Sequence, residues 1–161
     1  MAIFNGTTGN DSLFGGKFND FLIGSPGNDF LDGGSGTDTA DYTSASGSVT
    51  VNLLTGVAIK ADGNDTLVSI ENVYGSNFAD TLTGNASANS LFGGKGNDTL
   101  AGGQGADTFL FWNVPGQASE TSTDTITDFS PGVGGDILIL PTAGFTNFTA
   151  SANPVTTAMR V

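Results

Sequence analysis

The chain has no cysteine and no histidine among its 161 residues, and only 4 basic residues against 16 acidic ones, a net charge of −12. Without cysteine and histidine there is no disulfide framework, no Ser-His or Cys-His nucleophile system and none of the usual zinc ligand sets. So few cations leave no basic patch to meet phosphates, which excludes nucleic acid as a partner. Long apolar runs are missing as well: no stretch approaches the roughly 18 residues that cross a bilayer. The opening Met1-Ala-Ile-Phe-Asn-Gly6 carries neither a basic segment nor an apolar core, so no classical signal peptide is expected. Zero cysteine suits work outside the cell.

What remains of catalysis is a carboxylate-pair hydrolase. Its acids would have to come from the aspartates of the turns described next, or from Glu71 and Glu120, which stand alone and read as solvated surface. The chain is therefore read as a non-enzyme.

Glycine and aspartate are what the sequence does have, and they keep a nine-residue register. Gly9/Asp11, Gly27/Asp29, Gly36/Asp38, Gly63/Asp65, Gly96/Asp98 and Gly105/Asp107 repeat the unit Gly-x-Asp, and Asp20 and Asp80 hold the register without the glycine. Leu13, Leu22, Leu31, Leu82, Leu91 and Leu100 follow two residues after each aspartate or asparagine. Disorder, the usual companion of such acidity, would not keep that spacing. The motif Gly-Gly-x-Gly-x-Asp-x-apolar-x is a known nonapeptide of calcium-binding parallel β-helices.

Each nonapeptide divides into a six-residue turn, in which glycines permit left-handed backbone and close approach, and a three-residue strand with one inward side chain. Two such halves make an eighteen-residue coil. Asp11 then stacks with Asp29 on one edge and Asp20 with Asp38 on the other; in the second block Asp80 stacks with Asp98 and Asn89 with Asp107. Parallel coils lie roughly 4.8 Å apart, and two carboxylates at about 5 Å repel by about 3 kcal/mol at an effective dielectric near 20. A cation must neutralise them. Calcium, with oxygen ligands at roughly 2.3–2.6 Å, spans that gap, whereas magnesium demands shorter bonds and a rigid octahedron.

The candidate ligands are the carboxylates or amide of Asp11, Asp20, Asp29, Asp38, Asp65, Asp80, Asn89, Asp98 and Asp107, together with turn residues that offer main-chain oxygens. In the first block these are Gly6, Thr8, Gly9, Gly15, Lys17, Gly24, Pro26, Gly27, Gly33, Ser35 and Gly36; in the second, Gly93, Lys95, Gly96, Gly102, Gln104 and Gly105. Asp128 of the C-terminal segment is a further candidate. The change Asp29→Ala or Asp98→Ala should weaken calcium binding strongly, and Glu71→Ala or Glu120→Ala should leave it alone.

The chain reads as one continuous all-β domain in four stretches. Residues 1–41 form the first block of repeats, and residues 42–74 an insert of wider rungs. In the insert Val49–Leu53 and Val57–Ile59 alternate like strands, 61–67 is a degenerate half-coil, and 68–73 is extended. Residues 75–110 form the second block. In 111–161 the segments 125–129 and 136–140 read as two strands around a turn, packed as a cap over the open end, with a polar loop before them and a tail from 141. Phe14, Phe21, Phe30 and Phe92 flank inward leucines and should face outward, offering apolar patches to a partner.

These nonapeptides resemble the RTX family, and with Val49–Gly56, Asp65–Asn72 and Asp124–Gly132 they are similar to the C-terminal β-roll domain of serralysin-type secreted proteins. The resemblance implies a right-handed parallel β-roll, a β-helix solenoid with Ca2+ in its turns. It also implies type I export on an uncleaved C-terminal signal and folding on extracellular calcium. The metalloprotease domain of serralysins has no counterpart here. Phe18, Phe78 and Ser87 replace the fourth glycine of their turns and Asn89 replaces an aspartate, so those turns are expected to bind weakly or not at all. Three roles follow: a calcium-dependent module, a surface or matrix component that self-assembles or holds cell-surface polysaccharide, or an accessory piece of a secreted hydrolase.

Overall fold

The computed structural model describes residues 1–111 and 122–140, so Trp112, Glu120, most of the polar loop and the tail from 141 lie outside the described residues. No described segment is helical, so among the described residues no helix is long and apolar enough to cross a membrane. The strands are β1 (Ile3–Asn5), β2 (Ser12–Gly16), β3 (Phe21–Ile23), β4 (Phe30–Gly34), β5 (Thr39–Asp41), β6 (Thr50–Asn52), β7 (Val57–Lys60) and β8 (Gly63–Val68). They continue as β9 (Asn72–Tyr74), β10 (Thr81–Thr83), β11 (Ser90–Phe92), β12 (Thr99–Ala101), β13 (Thr108–Leu110), β14 (Thr125–Ile126) and β15 (Ile137–Ile139).

Successive repeats alternate between two sheets. One runs β1-β3-β5-β9-β11-β13-β15 and the other β14-β12-β10-β6-β7-β8-β4-β2. Within a block the pairing is parallel and advances by one eighteen-residue coil, as in Ile3 with Phe21, Leu13 with Leu31 and Leu82 with Leu100. The alternation is that of a β-roll, and the register is the one that the nonapeptides predict.

One side chain per short strand points between the sheets. Leu22, Leu31, Leu82, Leu91 and Leu100 are fully buried there, continued by Ala40, Val51, Val73 and Phe109. Each fully buried leucine contributes about 1.5–3 kcal/mol. Leu13, on the outermost strand of its sheet, is only partly buried.

The fourth glycine of a turn answers to the coil before it. A Cβ on Gly36 would lie 2.8 Å from the Phe18 carbonyl oxygen, and one on Gly96 would lie 2.6 Å from that of Phe78. Phe18 belongs to the first turn on its edge, and Phe78 and Ser87 follow the insert rather than another nonapeptide. These non-glycine residues therefore stand where the packing demand is relaxed.

The insert widens one sheet only. β5 pairs directly with β9, Thr39 opposite Asn72, so the first sheet runs through unbroken. In the second sheet β8 pairs parallel with β4 and β6 parallel with β10, with β7 antiparallel between them. The insert thus adds an antiparallel strand to one sheet and leaves the pairing of the other continuous. Residues 68–73 are not one extended run: Ser69 has φ 51° and the chain turns there from one sheet to the other. The expected cap is also a different object. β14 pairs parallel with β12 and β15 parallel with β13, so these strands add a further coil to each sheet rather than folding across its end.

Candidate metal centres

Along each edge the sixth residue of most turns donates its backbone N–H to the side chain of its counterpart in the next coil, while the Asp80 side chain accepts the Val49 amide. On one edge Asp11 donates to Asp29 Oδ1 at 2.8 Å, Asp29 to Asp65 Oδ1 at 3.1 Å, Asp80 to Asp98 Oδ1 at 2.8 Å and Asp98 to Asp124 Oδ1 at 3.0 Å. On the other, Asp20 donates to Asp38 Oδ1 at 2.7 Å, Asp38 to Glu71 Oε2 at 2.8 Å, Asn89 to Asp107 Oδ1 at 2.8 Å and Asp107 to Asp136 Oδ1 at 3.0 Å. The stacks expected from the eighteen-residue coil are all present.

Three rungs of these ladders were not foreseen. Glu71, read as solvated surface, takes the place of an aspartate and accepts the Asp38 amide. Asp124 and Asp136 extend the two edges past the repeats. Gly134, Asp136 and Leu138 carry the same Gly-x-Asp-x-apolar signature as the repeats, and Asp124-Thr-Ile126 its second half, so the signal was in the sequence.

The second carboxylate oxygen divides the turns into two kinds. In closed turns it accepts the N–H of the turn's second residue: Thr7 donates to Asp11 Oδ2 at 2.6 Å and Ser76 to Asp80 Oδ2 at 2.5 Å, and Asn85 donates in the same way to Asn89 Oδ1 at 2.8 Å. In open turns it has no donor. Oδ2 of Asp20, Asp29, Asp38, Asp98 and Asp107 is buried without a hydrogen-bond partner, so the turn at 15–20 is of the open kind although Phe18 replaces its fourth glycine.

The backbone explains the division. The second residue of each open turn, Gly16, Ser25, Gly34, Gly94 or Gly103, has a positive φ of 117°, 68°, 87°, 94° or 93°, whereas Thr7, Ser76 and Asn85 do not. That geometry goes with an amide which no longer faces the turn's own aspartate. In two cases another carboxylate takes it: Asp32 accepts from Gly34 at 3.1 Å and Asp128 from Gly103 at 2.8 Å. Ser25 adopts the left-handed conformation without being glycine, at a cost of about 1–2 kcal/mol.

An unpartnered buried carboxylate oxygen is costly. Burial is the largest cause of the upward pKa shifts at Asp38, Asp65, Asp80, Asp107 and Asp124. Asp98 is pushed to about 7, by burial first and then by the charges of Asp124 and Asp80, against the lowering effect of the Asp80 amide.

The first glycine of the turn lines the space in front of that oxygen. A Cβ on Gly24 would fall 2.6 Å from Asp29 Oδ2, one on Gly33 2.6 Å from Asp38 Oδ2, and one on Gly15 2.5 Å from the Gly33 carbonyl oxygen and 3.2 Å from Asp20 Oδ2. Gly93 and Gly102 approach Asp98 and Asp107 in the same way. Any side chain would fill the cradle. Among the described residues no three acidic side chains converge, so a cation here needs main-chain oxygens beside one or two carboxylates. An all-oxygen donor set of low symmetry fits calcium and suits neither zinc nor copper.

The other nominated residues lie in the same turns with plainer duties. Ser35, Lys95 and Gln104 donate their amides to the carbonyls of Gly16, Ser76 and Asn85 in the preceding coil. Asp128, nominated as a ligand, uses both carboxylate oxygens to accept the Gly102 and Gly103 amides at 2.9 and 2.8 Å, and is a brace for an open turn.

The profile of the RTX calcium-binding nonapeptide repeat matches in four copies, over residues 5–40 and 74–109. No curated protein matches the chain. The matched residues are the two blocks whose turns carry all five open carboxylates, and through them the chain belongs to the RTX calcium-binding repeat family.

Proposed function

We propose that this chain is a non-catalytic calcium-binding module whose β-roll is completed by calcium in its open turns, and that it takes up this fold outside the cell after secretion. One observation carries the reading: five buried aspartate oxygens lack any hydrogen-bond donor, and all five lie in RTX repeats. Calcium supplies two positive charges and six to eight oxygen contacts, which offset the repulsion of carboxylates stacked about 4.8 Å apart. The chain's part is to hold those carboxylates in place. Each Oδ1 is fixed by the amide of the neighbouring coil, each Oδ2 is left without a hydrogen-bond donor, and the first glycine keeps side chains out of the space. In metal-free protein the same arrangement is a liability, so binding energy becomes folding energy.

The absence of histidine and cysteine, and the engagement of the turn acids in ladders, support a role without catalysis. The surface-assembly alternative draws less support than the sequence offered. Phe21, Tyr74 and Phe92 pack edge to face at 5.7 and 5.5 Å between ring centroids and cover each other in part, whereas Phe14, 5.8 Å from Phe30, stays 60% exposed. The accessory-domain alternative rests on the serralysin resemblance alone.

A calcium titration of metal-free protein, followed by far-ultraviolet circular dichroism, tests the proposal. A cooperative gain of β signal with calcium and none with magnesium is expected. A metal-free protein that is already fully folded and indifferent to calcium would show that the aspartates only shape turns.

A further inference from the structure

One position in the acidic stacks holds a cation of the chain's own. The turn at residues 60–65 stacks under the turn at 24–29, since Asp29 donates to Asp65 Oδ1 and Thr66 to the Asp29 carbonyl oxygen. Its first residue is Lys60, where the turns of the two repeat blocks have glycine. The Lys60 ammonium lies 2.8 and 2.9 Å from the two Asp65 oxygens, 2.7 Å from the Ser25 carbonyl oxygen and 3.6 Å from Asp29 Oδ2. Its side chain is 3% exposed, and the Tyr42 ring stands 5.9 Å from it.

These are the contacts that a metal between two coils would make. Both sixth-position carboxylates are reached, and so is a second-position carbonyl. At the comparable step from the turn at 15–20 to the turn at 33–38, the second-position carbonyl of Gly16 accepts the Ser35 amide. Here the Ser25 carbonyl accepts the ammonium instead. Ser25 also holds its positive φ without the help of glycine, as if that carbonyl had to face this place.

Resting on the calcium reading above, we infer that the Lys60 ammonium is a tethered surrogate for a calcium ion, which makes the step between the turns at 24–29 and 60–65 independent of metal. The charge on one ammonium is half that of calcium, but it never dissociates from the chain, so Asp29 and Asp65 are neutralised as the polypeptide folds. The step lies where the first block meets the insert. The first block therefore has one calcium-free junction from which calcium-dependent coils extend. The expectation that Asp29 is a calcium ligand is replaced: Asp29 and Asp65 serve the ammonium.

Calcium bound per chain is measured by equilibrium dialysis for the full chain and for the variants Lys60→Gly and Lys60→Arg. Lys60→Gly restores the glycine of the other turns and should bind one ion more than the parent, while Lys60→Arg, which keeps the charge, should bind the same number. An equal count in parent and Lys60→Gly overturns the inference, as does a Lys60→Gly chain that no calcium concentration folds. A parent that binds no calcium at all sinks the calcium reading instead. Amine acylation of the unmodified chain gives a second readout. In calcium-loaded protein Lys60 should resist acylation while exposed Lys17 reacts, and reaction of both at the same rate would mean that calcium has displaced the ammonium.

Discussion

The turn at 75–80 and the turn at 93–98 lie one coil apart on the same edge, and their aspartates share a ladder bond, yet they present opposite chemistry. Asp80 receives the Ser76 amide and hydroxyl and is satisfied by its own turn. Asp98 has a glycine in place of Ser76, at φ 94°, and its Oδ2 is buried with no donor. The difference between a turn that closes on itself and one that keeps an oxygen for a cation thus comes down to the second residue, not to the aspartate. A similar contrast separates Asn89, closed by Asn85, from Asp107, left open because Asp128 takes the Gly103 amide.

Neutralising single aspartates should break this pairing most strongly. Asp98→Asn keeps the Oδ1 acceptor for the Asp80 amide but removes the charge, and should lower calcium affinity at that turn by about a hundredfold, or about 2.7 kcal/mol. Asp80→Asn should leave affinity within about twofold. Isothermal titration of the two variants side by side checks the contrast, and equal losses would erase it.

Glycine at the second position gives the next largest effect. Gly94→Ala places a methyl against the Ser76 carbonyl oxygen and forces alanine into the left-handed region, while at Gly16, φ 117°, nothing lies within 4 Å. Thermal unfolding should show Gly94→Ala destabilised by more than the about 1–2 kcal/mol that the backbone alone costs, and Gly16→Ala by no more than that amount. A reversed order would mean that coil stacking does not demand this glycine.

Protons should compete with calcium for the open turns. The Asp98 carboxyl is raised from 3.8 to about 7, so the native state holds a proton which the unfolded state releases. This contribution to metal-free stability is fully present below about pH 4 and is lost as pH rises through 7. Urea unfolding of metal-free protein should accordingly give a higher midpoint at pH 5 than at pH 8, while calcium affinity falls as pH drops below 7.

The smallest effect is expected at Glu71. Because its carboxylate accepts the Asp38 amide, Glu71→Ala should cost about 1 kcal/mol, and Glu71→Gln, which keeps an acceptor, almost nothing. Identical stability of Glu71→Ala and parent would mean that the ladder bond contributes little.

The two-sheet alternation, the eighteen-residue coil and the stacking of Asp11 on Asp29 and Asp20 on Asp38 could be read from the sequence, because a period of nine fixes which side chains face inward and which edges meet. The open and closed turns could not, since they depend on the dihedral of one residue and on which carboxylate captures its amide. Asp128 illustrates this: its type and place suggested a ligand, and its partners make it a brace. Lys60 was invisible for a related reason. The pairing of its turn with residues 24–29 skips 36 positions in the chain, so no local pattern brings the ammonium to Asp29. Asp136 carries the Gly-x-Asp signature, but the nine-residue spacing that identifies the others is interrupted before it.

The most direct measurement is an anomalous difference map from crystals of the calcium-loaded protein. Peaks should stand beside Oδ2 of Asp20, Asp38, Asp98 and Asp107, with none at the turns closed by Thr7, Ser76 and Asn85. Peaks spread evenly over open and closed turns, or missing from the open ones, would contradict the assignment of the unpartnered oxygens to calcium.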